Sequence, residues 1–198
     1  MEDEAARLGV AYHEAGHAIV GALHGRVVFE VTIKPDRFSR GHVSFAPGAT
    51  TEPRGRVASC PWPRGGRLYE RDAPSEDELR KASACVQTSL AGPLSQTLFC
   101  GTRVRWGSDR RAAALAVLMY TGWGWHRIHR YLREQEAAVE ALIREWEVAV
   151  AIDALARRLI VEEAVAGPIA YGRAGCGDAC RPARPGARPA AELRQFLR

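Results

Sequence analysis

Apolar residues recur at helical spacing from about Asp3 to Leu23, with Leu8, Tyr12, Ala15, Ile19, Ala22 and Leu23 on one face. Such a stripe predicts an amphipathic helix laid on a core. Acidic residues crowd its first turn, where the helix dipole favours them, and Gly25 follows as a stop signal. The spacing then changes. Val27 to Ile33 reads as a strand closed by Lys34-Pro35-Asp36, and His42 to Phe45 as a second short strand after Gly41. Together they predict a small sheet with an exposed edge. Residues 47–74 hold five prolines, four glycines and five arginines with no sustained period, the signature of a long irregular loop. At Ser75-Glu76-Asp77-Glu78 a capping-box pattern starts a helix through Phe99, with Gly92-Pro93 as a candidate kink. A further helix is predicted from Ser108 or Asp109 to about Gly122–Gly124. From His126 to Glu163 the pattern is strongly helical. Its stripe of Leu132, Val139, Leu142, Ile143, Trp146, Val150, Leu155 and Leu159 is assigned to core packing. Beyond Tyr171 the run RPARPGARPAAELRQ predicts a flexible basic tail over 173–198. The fold expected is α+β and predominantly helical: one domain over 1–172, with a small sheet followed by a helical bundle.

Composition narrows the function. At 198 residues, 46% hydrophobic and 26% charged, the chain is an ordinary globular domain with enough apolar residues for a real core. The net charge of +5 rests almost wholly on arginine, Lys34 and Lys81 being the only lysines. No zinc finger, helix-turn-helix pair or aromatic-basic sheet pattern accompanies it, which argues against nucleic acid as a partner. The opening MEDEAARLGV is acidic where a secretory signal would be basic. The longest apolar stretch, Gly9 to Leu23, contains His13, Glu14 and His17 and is shorter than the roughly 20 apolar residues of a membrane span. Five cysteines, Cys60, Cys85, Cys100, Cys176 and Cys180, are an odd number without a disulfide pattern, so a reducing cytoplasmic setting is expected. The pair Cys176 and Cys180 is not CxxC and is assigned to chance.

The chemistry is concentrated in His13-Glu14-Ala15-Gly16-His17, an HExxH sequence inside a stretch that reads independently as helix. Spacing of i and i+4 puts both imidazoles on one face, able to share one ion, with the glutamate beside the water that the ion would activate. A catalytic zinc site needs a third protein ligand and an open position. His24 is not that ligand. Seven residues at about 1.5 Å rise carry it roughly 10 Å along the axis from His17. The metzincin continuation fails as well, with Val20 in place of its glycine and Leu23 in place of its third histidine. Carboxylates on later helices remain: Glu76, Asp77, Glu78 and Asp109. Taken by itself, Asp109 suits a helix N-cap as well as it suits a ligand.

The stretch Ala11-Tyr12-His13-Glu14-Ala15-Gly16-His17-Ala18-Ile19-Val20-Gly21 resembles, nearly letter for letter, the AYHEAGHA motif of the FtsH-type ATP-dependent zinc metalloproteases. Val31-Thr32-Ile33-Lys34-Pro35 resembles that family's strand after the metal helix. Leu90-Ala91-Gly92, followed by Leu98-Phe99-Cys100-Gly101, resembles its LGG…LIFG segment. The likeness covers about residues 5–165, strongly at the metal helix and thinly elsewhere. It implies a zincin-like metal helix and makes Asp109, in Gly107-Ser108-Asp109, the third zinc ligand by analogy with the family's SND-type sequence. Two departures stand out. Where the family reads RAAEE after LGG, this chain has Pro93-Leu94-Ser95-Gln96-Thr97, replacing an acidic neighbour of the site by Gln96 or Thr97. These 198 residues also contain no GxxxxGK[ST] phosphate loop and no membrane span.

The activity implied is ATP-independent hydrolysis of unstructured polypeptide by a Zn2+ ion on His13, His17 and Asp109, with Glu14 as general base. Substrate is expected as an added strand along the edge formed by His42, Val43, Ser44 and Phe45. Tyr120, His42, His126 and Arg110 are all open as the group that assists the oxyanion. Trp106 is expected to pack beneath the site, and Trp123 and Trp125 to serve either packing or substrate. A homo-oligomer or a separate adaptor is an expected partner. The competing readings on the same fold are a metal-bearing interaction module that does not cleave, and a basic adaptor that uses the arginine-rich tail.

Overall fold

The computed structural model describes residues 2–35, 37, 39–46, 73–101 and 107–169. In chain order these form α1 (Glu2–Leu23), β1 (Val28–Thr32), β2 (His42–Phe45), α2 (Glu76–Cys100), α3 (Gly107–Thr121), α4 (Trp125–Arg144), α5 (Trp146–Glu162) and β3 (Ala164–Ile169). The fold is α+β and mostly helical, with one small antiparallel sheet. The expected loop at 47–74 falls almost entirely outside the described residues, as do Trp106, Cys176, Cys180 and the 173–198 tail.

Helix boundaries follow their local chemistry. Ser75 accepts from the Glu78 N–H while the Glu78 carboxylate accepts from the Ser75 N–H at 2.9 Å, closing the capping box that starts α2. At the other end Gly101 turns left-handed (φ 67°) and donates its N–H to the Thr97 carbonyl. Pro93 lies inside α2, and the hydroxyl of Thr97 donates to its carbonyl at 2.8 Å. That carbonyl would otherwise pair within the helix alone, so Thr97 is turned back on its own backbone.

Two expectations are corrected beyond α3. The helical pattern over 126–163 is broken at Glu145, whose backbone is extended (φ −62°, ψ 129°), so α4 and α5 are separate helices. Both keep buried stripes, including Ile128, Leu132, Val139 and Ile143 on α4 and Val148, Ile152, Leu155 and Leu159 on α5. Trp146 leaves the stripe because it sits at that break, and it is 80% exposed. Leu8, placed on the core face of α1 by its spacing, is likewise exposed.

Strand β3 was not foreseen. Glu163 ends α5 in the left-handed region (φ 62°), and its carbonyl accepts from the Ile33 N–H and the Thr32 hydroxyl. This reversal lays Ala164–Ile169 antiparallel to β1. The sheet order is therefore β2-β1-β3, with β2 on one outer side. A bulge between Val28 and Glu30 breaks the alternation of β1, burying Val28 and Val31 while leaving Phe29 outside. Helix α1 is the spine of the core. It packs on α2 and α5, and α2 in turn packs on α3 and α4.

Tyr12 fastens that spine in two directions. Its ring stacks on Phe99 of α2 at 4.7 Å, and its hydroxyl donates to Asp153 of α5 at 2.5 Å. Burial first, and then the Asp153 carboxylate, push the Tyr12 phenol up to about 12. It is therefore a permanent donor at neutral pH.

Candidate metal centre

The site is assembled where α1 crosses α2. Such close approach needs small residues. A Cβ on Gly16 would stand 2.6 Å from the Ala91 carbonyl oxygen, and a Cβ on Gly92 would stand 2.3 Å from Nε2 of His17. Either would collide, so the two glycines let the helix backbones come together with His17 lying over α2.

Both imidazoles are oriented from behind. Nδ1 of His17 lies 2.7 Å from the Thr88 carbonyl oxygen, which accepts only, so Nδ1 carries the proton and Nε2 presents a lone pair. Nδ1 of His13 lies 3.2 Å from Oε1 of Gln96, with the same consequence for its own Nε2. The two Nε2 atoms then face each other at 3.1 Å. Two lone pairs at that distance repel unless a cation or a shared proton lies between them.

Asp109 supplies the third side. Its carboxylate oxygens lie 3.3 Å from His13 Nε2 and 3.8 Å from His17 Nε2. Because α3 begins at Gly107, Asp109 is the third residue of the helix rather than the residue before it, and its side chain is turned to the histidines instead of capping from outside. Its place in the first turn sets a negative charge at the positive end of the α3 dipole. One donor atom from each of His13, His17 and Asp109 lies within 4.8 Å of the other two, so the cluster could hold a metal ion. Tetrahedral ligands about 2.0–2.1 Å from a zinc ion stand roughly 3.3 Å apart, close to the spacing found here.

The charges of the metal-free cluster are strongly interdependent. For His13, burial disfavours the cation, but the Asp109 hydrogen bond and the charges of Glu14 and Asp109 outweigh it and raise the pKa. Burial lowers His17 to about 4, helped by the neighbouring charge on His13. For Asp109, burial works against the carboxylate, yet the two histidines hold its pKa below the usual value. Glu14 is 6% exposed, and burial raises its carboxyl to about 7, against an opposing pull from His13. A metal dication at this spot would reverse that logic, favouring neutral histidines and charged carboxylates.

Several residues named from sequence lie outside this cluster. His24 contacts Gln87 at 2.9 Å, about two helical turns along α1 from His17. Asp77 pairs with Arg80 and Lys81, and Glu78 is occupied by the capping box. Arg110 is paired with Glu136, and His42 and His126 are exposed. Trp123 stacks under Arg127 and against Tyr131 at the opposite end of α3 from Asp109.

Strand β2 runs beside α1. A Cβ on Gly41, the residue leading into it, would stand 3.0 Å from Cγ of Glu14. At its other end Phe45 turns inward, where a Cβ on Gly21 would meet its ring at 2.6 Å and the Arg26 guanidinium lies 3.6 Å from the ring centroid. Phe45 is thus an anchor of the strand on α1. Val43 and Ser44 are half-buried and His42 is exposed. What sequence reasoning missed is the Thr88 carbonyl and the glycine contacts, and only the glycines at 9, 16, 21 and 92 in helical segments gave any signal of them.

The chain matches no protein-family model and no curated protein.

Proposed function

We propose that the chain is a zinc metallopeptidase resembling the peptidase domain of the FtsH-type proteases, and that it hydrolyses peptide bonds in unstructured polypeptide. The observation that carries this reading is the convergence of two oriented Nε2 lone pairs and the Asp109 carboxylate beside the buried Glu14. His13, His17 and Asp109 would hold a zinc ion by three protein ligands, the count of catalytic rather than structural zinc. A zinc ion held there supplies a Lewis acid that polarises a carbonyl and acidifies water to a pKa of about 7.

The rest belongs to the protein's own residues. Glu14 follows a ligand in sequence yet is not one of the clustered donors, so its carboxylate can take the proton of the attacking water and pass it to the leaving amine. It is buried beside the histidines, and a dication held there would keep it charged and able to accept a proton. β2, on the outer side of the sheet and beginning next to Glu14, offers main-chain groups to an extended substrate as an added strand. Among the described residues no helix is long and apolar enough to cross a membrane.

Glu14→Gln tests the reading. The variant should bind zinc like the parent and lose peptide hydrolysis by about 10²-fold or more, since a positioned general base contributes 10²–10⁴-fold. Undiminished cleavage by a folded, zinc-loaded variant would overturn the role given to Glu14. Zinc uptake without any cleavage by the parent chain would favour a metal-bearing interaction module.

A further inference from the structure

We infer that Gln96, seated in space that Gly9 leaves open, is a positioning residue for His13, and that its neutral amide sets how tightly the metal is held. The inference rests on the metal-site reading and goes beyond it.

Three observations carry it. Oε1 of Gln96 lies 3.2 Å from Nδ1 of His13. It stands behind that ring as the Thr88 carbonyl stands behind His17. Second, Gly9 lies one helical turn before His13 on the same face of α1. A Cβ there would stand 2.7 Å from Nε2 of Gln96 and 3.4 Å from its Cδ, so even an alanine would force the amide to shift. Third, Gly9 is buried within a 22-residue helix, where a glycine is disfavoured by about 1 kcal/mol against alanine. The empty space therefore has an occupant, and the occupant has a task.

That task follows from hydrogen-bond chemistry. An acceptor on Nδ1 fixes the tautomer that leaves Nε2 free for the ion, and it holds the ring plane toward His17 and Asp109. Gln96 accepts through an uncharged carbonyl. A carboxylate of the same length would draw the Nδ1 proton more strongly and make the imidazole a better donor. Glutamine thus orients His13 fully while leaving its bond to the metal weaker than glutamate would.

The test measures Zn2+ affinity of the full chain by competition with a chromophoric chelator, and the ligand-field absorption of the Co2+-loaded protein. Gln96→Ala should weaken zinc binding about 10- to 100-fold and change the Co2+ spectrum. Gly9→Ala should do the same, because it shifts the amide. In the double variant the two losses should not add, since both remove one contact. Gln96→Glu, which preserves shape, should bind zinc more tightly than the parent. Unchanged affinity in Gln96→Ala, fully additive losses in the double variant, or no gain in Gln96→Glu would each overturn the inference. A parent chain that takes up zinc one to one while these variants behave like it refutes the inference alone. A parent chain that takes up no zinc refutes the metal reading along with it.

Discussion

The Cβ that Gly92 lacks would stand 2.3 Å from Nε2, 2.6 Å from Cε1 and 2.8 Å from Cδ2 of His17. Three ring atoms so close to one point mean that the imidazole lies flat over the glycine. One turn earlier on the same helix, the Thr88 carbonyl holds Nδ1. α2 therefore aligns His17, a candidate metal ligand carried by α1, through its backbone.

Gly92→Ala should expose that dependence. Intrinsic helix propensity would gain up to about 1 kcal/mol from the change. The collision cannot be relieved without moving the ring or separating the helices, and overpacking of this kind costs about 1–3 kcal/mol. Zinc affinity is expected to fall at least about tenfold, as measured by chelator competition, with a lower Tm. An alanine variant that binds zinc like the parent would show that the ring has another place to go.

Asp109→Ala should lower zinc occupancy sharply, while Glu76→Ala, Asp77→Ala and Glu78→Ala should not. Asp77 serves Arg80 and Lys81, and Glu78 serves the N-terminus of α2. Losing the Glu78 half of the capping box is a stability effect of about 1 kcal/mol or less. Metal analysis of the four purified variants checks this directly. Full occupancy in Asp109→Ala, or depletion in a Glu76, Asp77 or Glu78 variant, would reassign the third ligand.

Glu14 gives the metal-free protein a pH signature. Its folded-state pKa of about 7 is raised above the ordinary 4.5 by burial. The stability it contributes is thus fully present below pH 4.5 and is lost as the pH rises through about 7. The displacement corresponds to about 3 kcal/mol. Glu14→Gln should accordingly stabilise the chelator-treated protein by a few kcal/mol at pH 8 and hardly at all at pH 4, as read by denaturant unfolding. Adding zinc should shrink the difference at pH 8, because the ion favours the charged carboxylate. Equal stability of parent and variant at pH 8 without metal would mean that Glu14 is solvated rather than buried.

The elements legible in the sequence were those with a sustained period and a chemical stop. α1 ends at Gly25, and α2 begins at the Ser75 box. β3 was illegible because Ala-Val-Ala-Gly-Pro-Ile has neither alternation nor turn residues at its ends. It is a strand because Glu163 reverses the chain and Thr32 and Ile33 hold its carbonyl. The break at Glu145 carried no glycine or proline to announce it. At the site, HExxH announced His13, Glu14 and His17 by spacing. Asp109 needed the family resemblance, since nothing local separates a ligand from a cap. The hydrogen bonds behind the rings were beyond reach, because a main-chain carbonyl such as that of Thr88 leaves no trace in residue identity. Gln96 was marked only as a departure from the family's acidic residue, and its contact with His13 is a product of how α1 crosses α2.

The outer side of β2 offers the last test. The Ala46 N–H donates to the Val27 carbonyl, so by strand alternation the main-chain groups of Ser44 and His42 also face β1. Those of Val43 and Phe45 then face away from β1. Phe45 is committed to Gly21 and Arg26 through its side chain, which leaves Val43 as the position where an outward N–H can be removed with least harm. Proline is tolerated on an edge strand when its missing N–H points outward. Val43→Pro should therefore keep the fold and the zinc affinity of the parent. An added substrate strand would lose a main-chain acceptor bond worth about 0.5–1.5 kcal/mol, which lowers cleavage of an unstructured polypeptide roughly two- to tenfold. The assay runs without ATP, since these residues include no phosphate loop that could use it. If Val43→Pro cleaves at the parent rate with zinc fully bound, substrate does not pair with β2 and enters the site from another side.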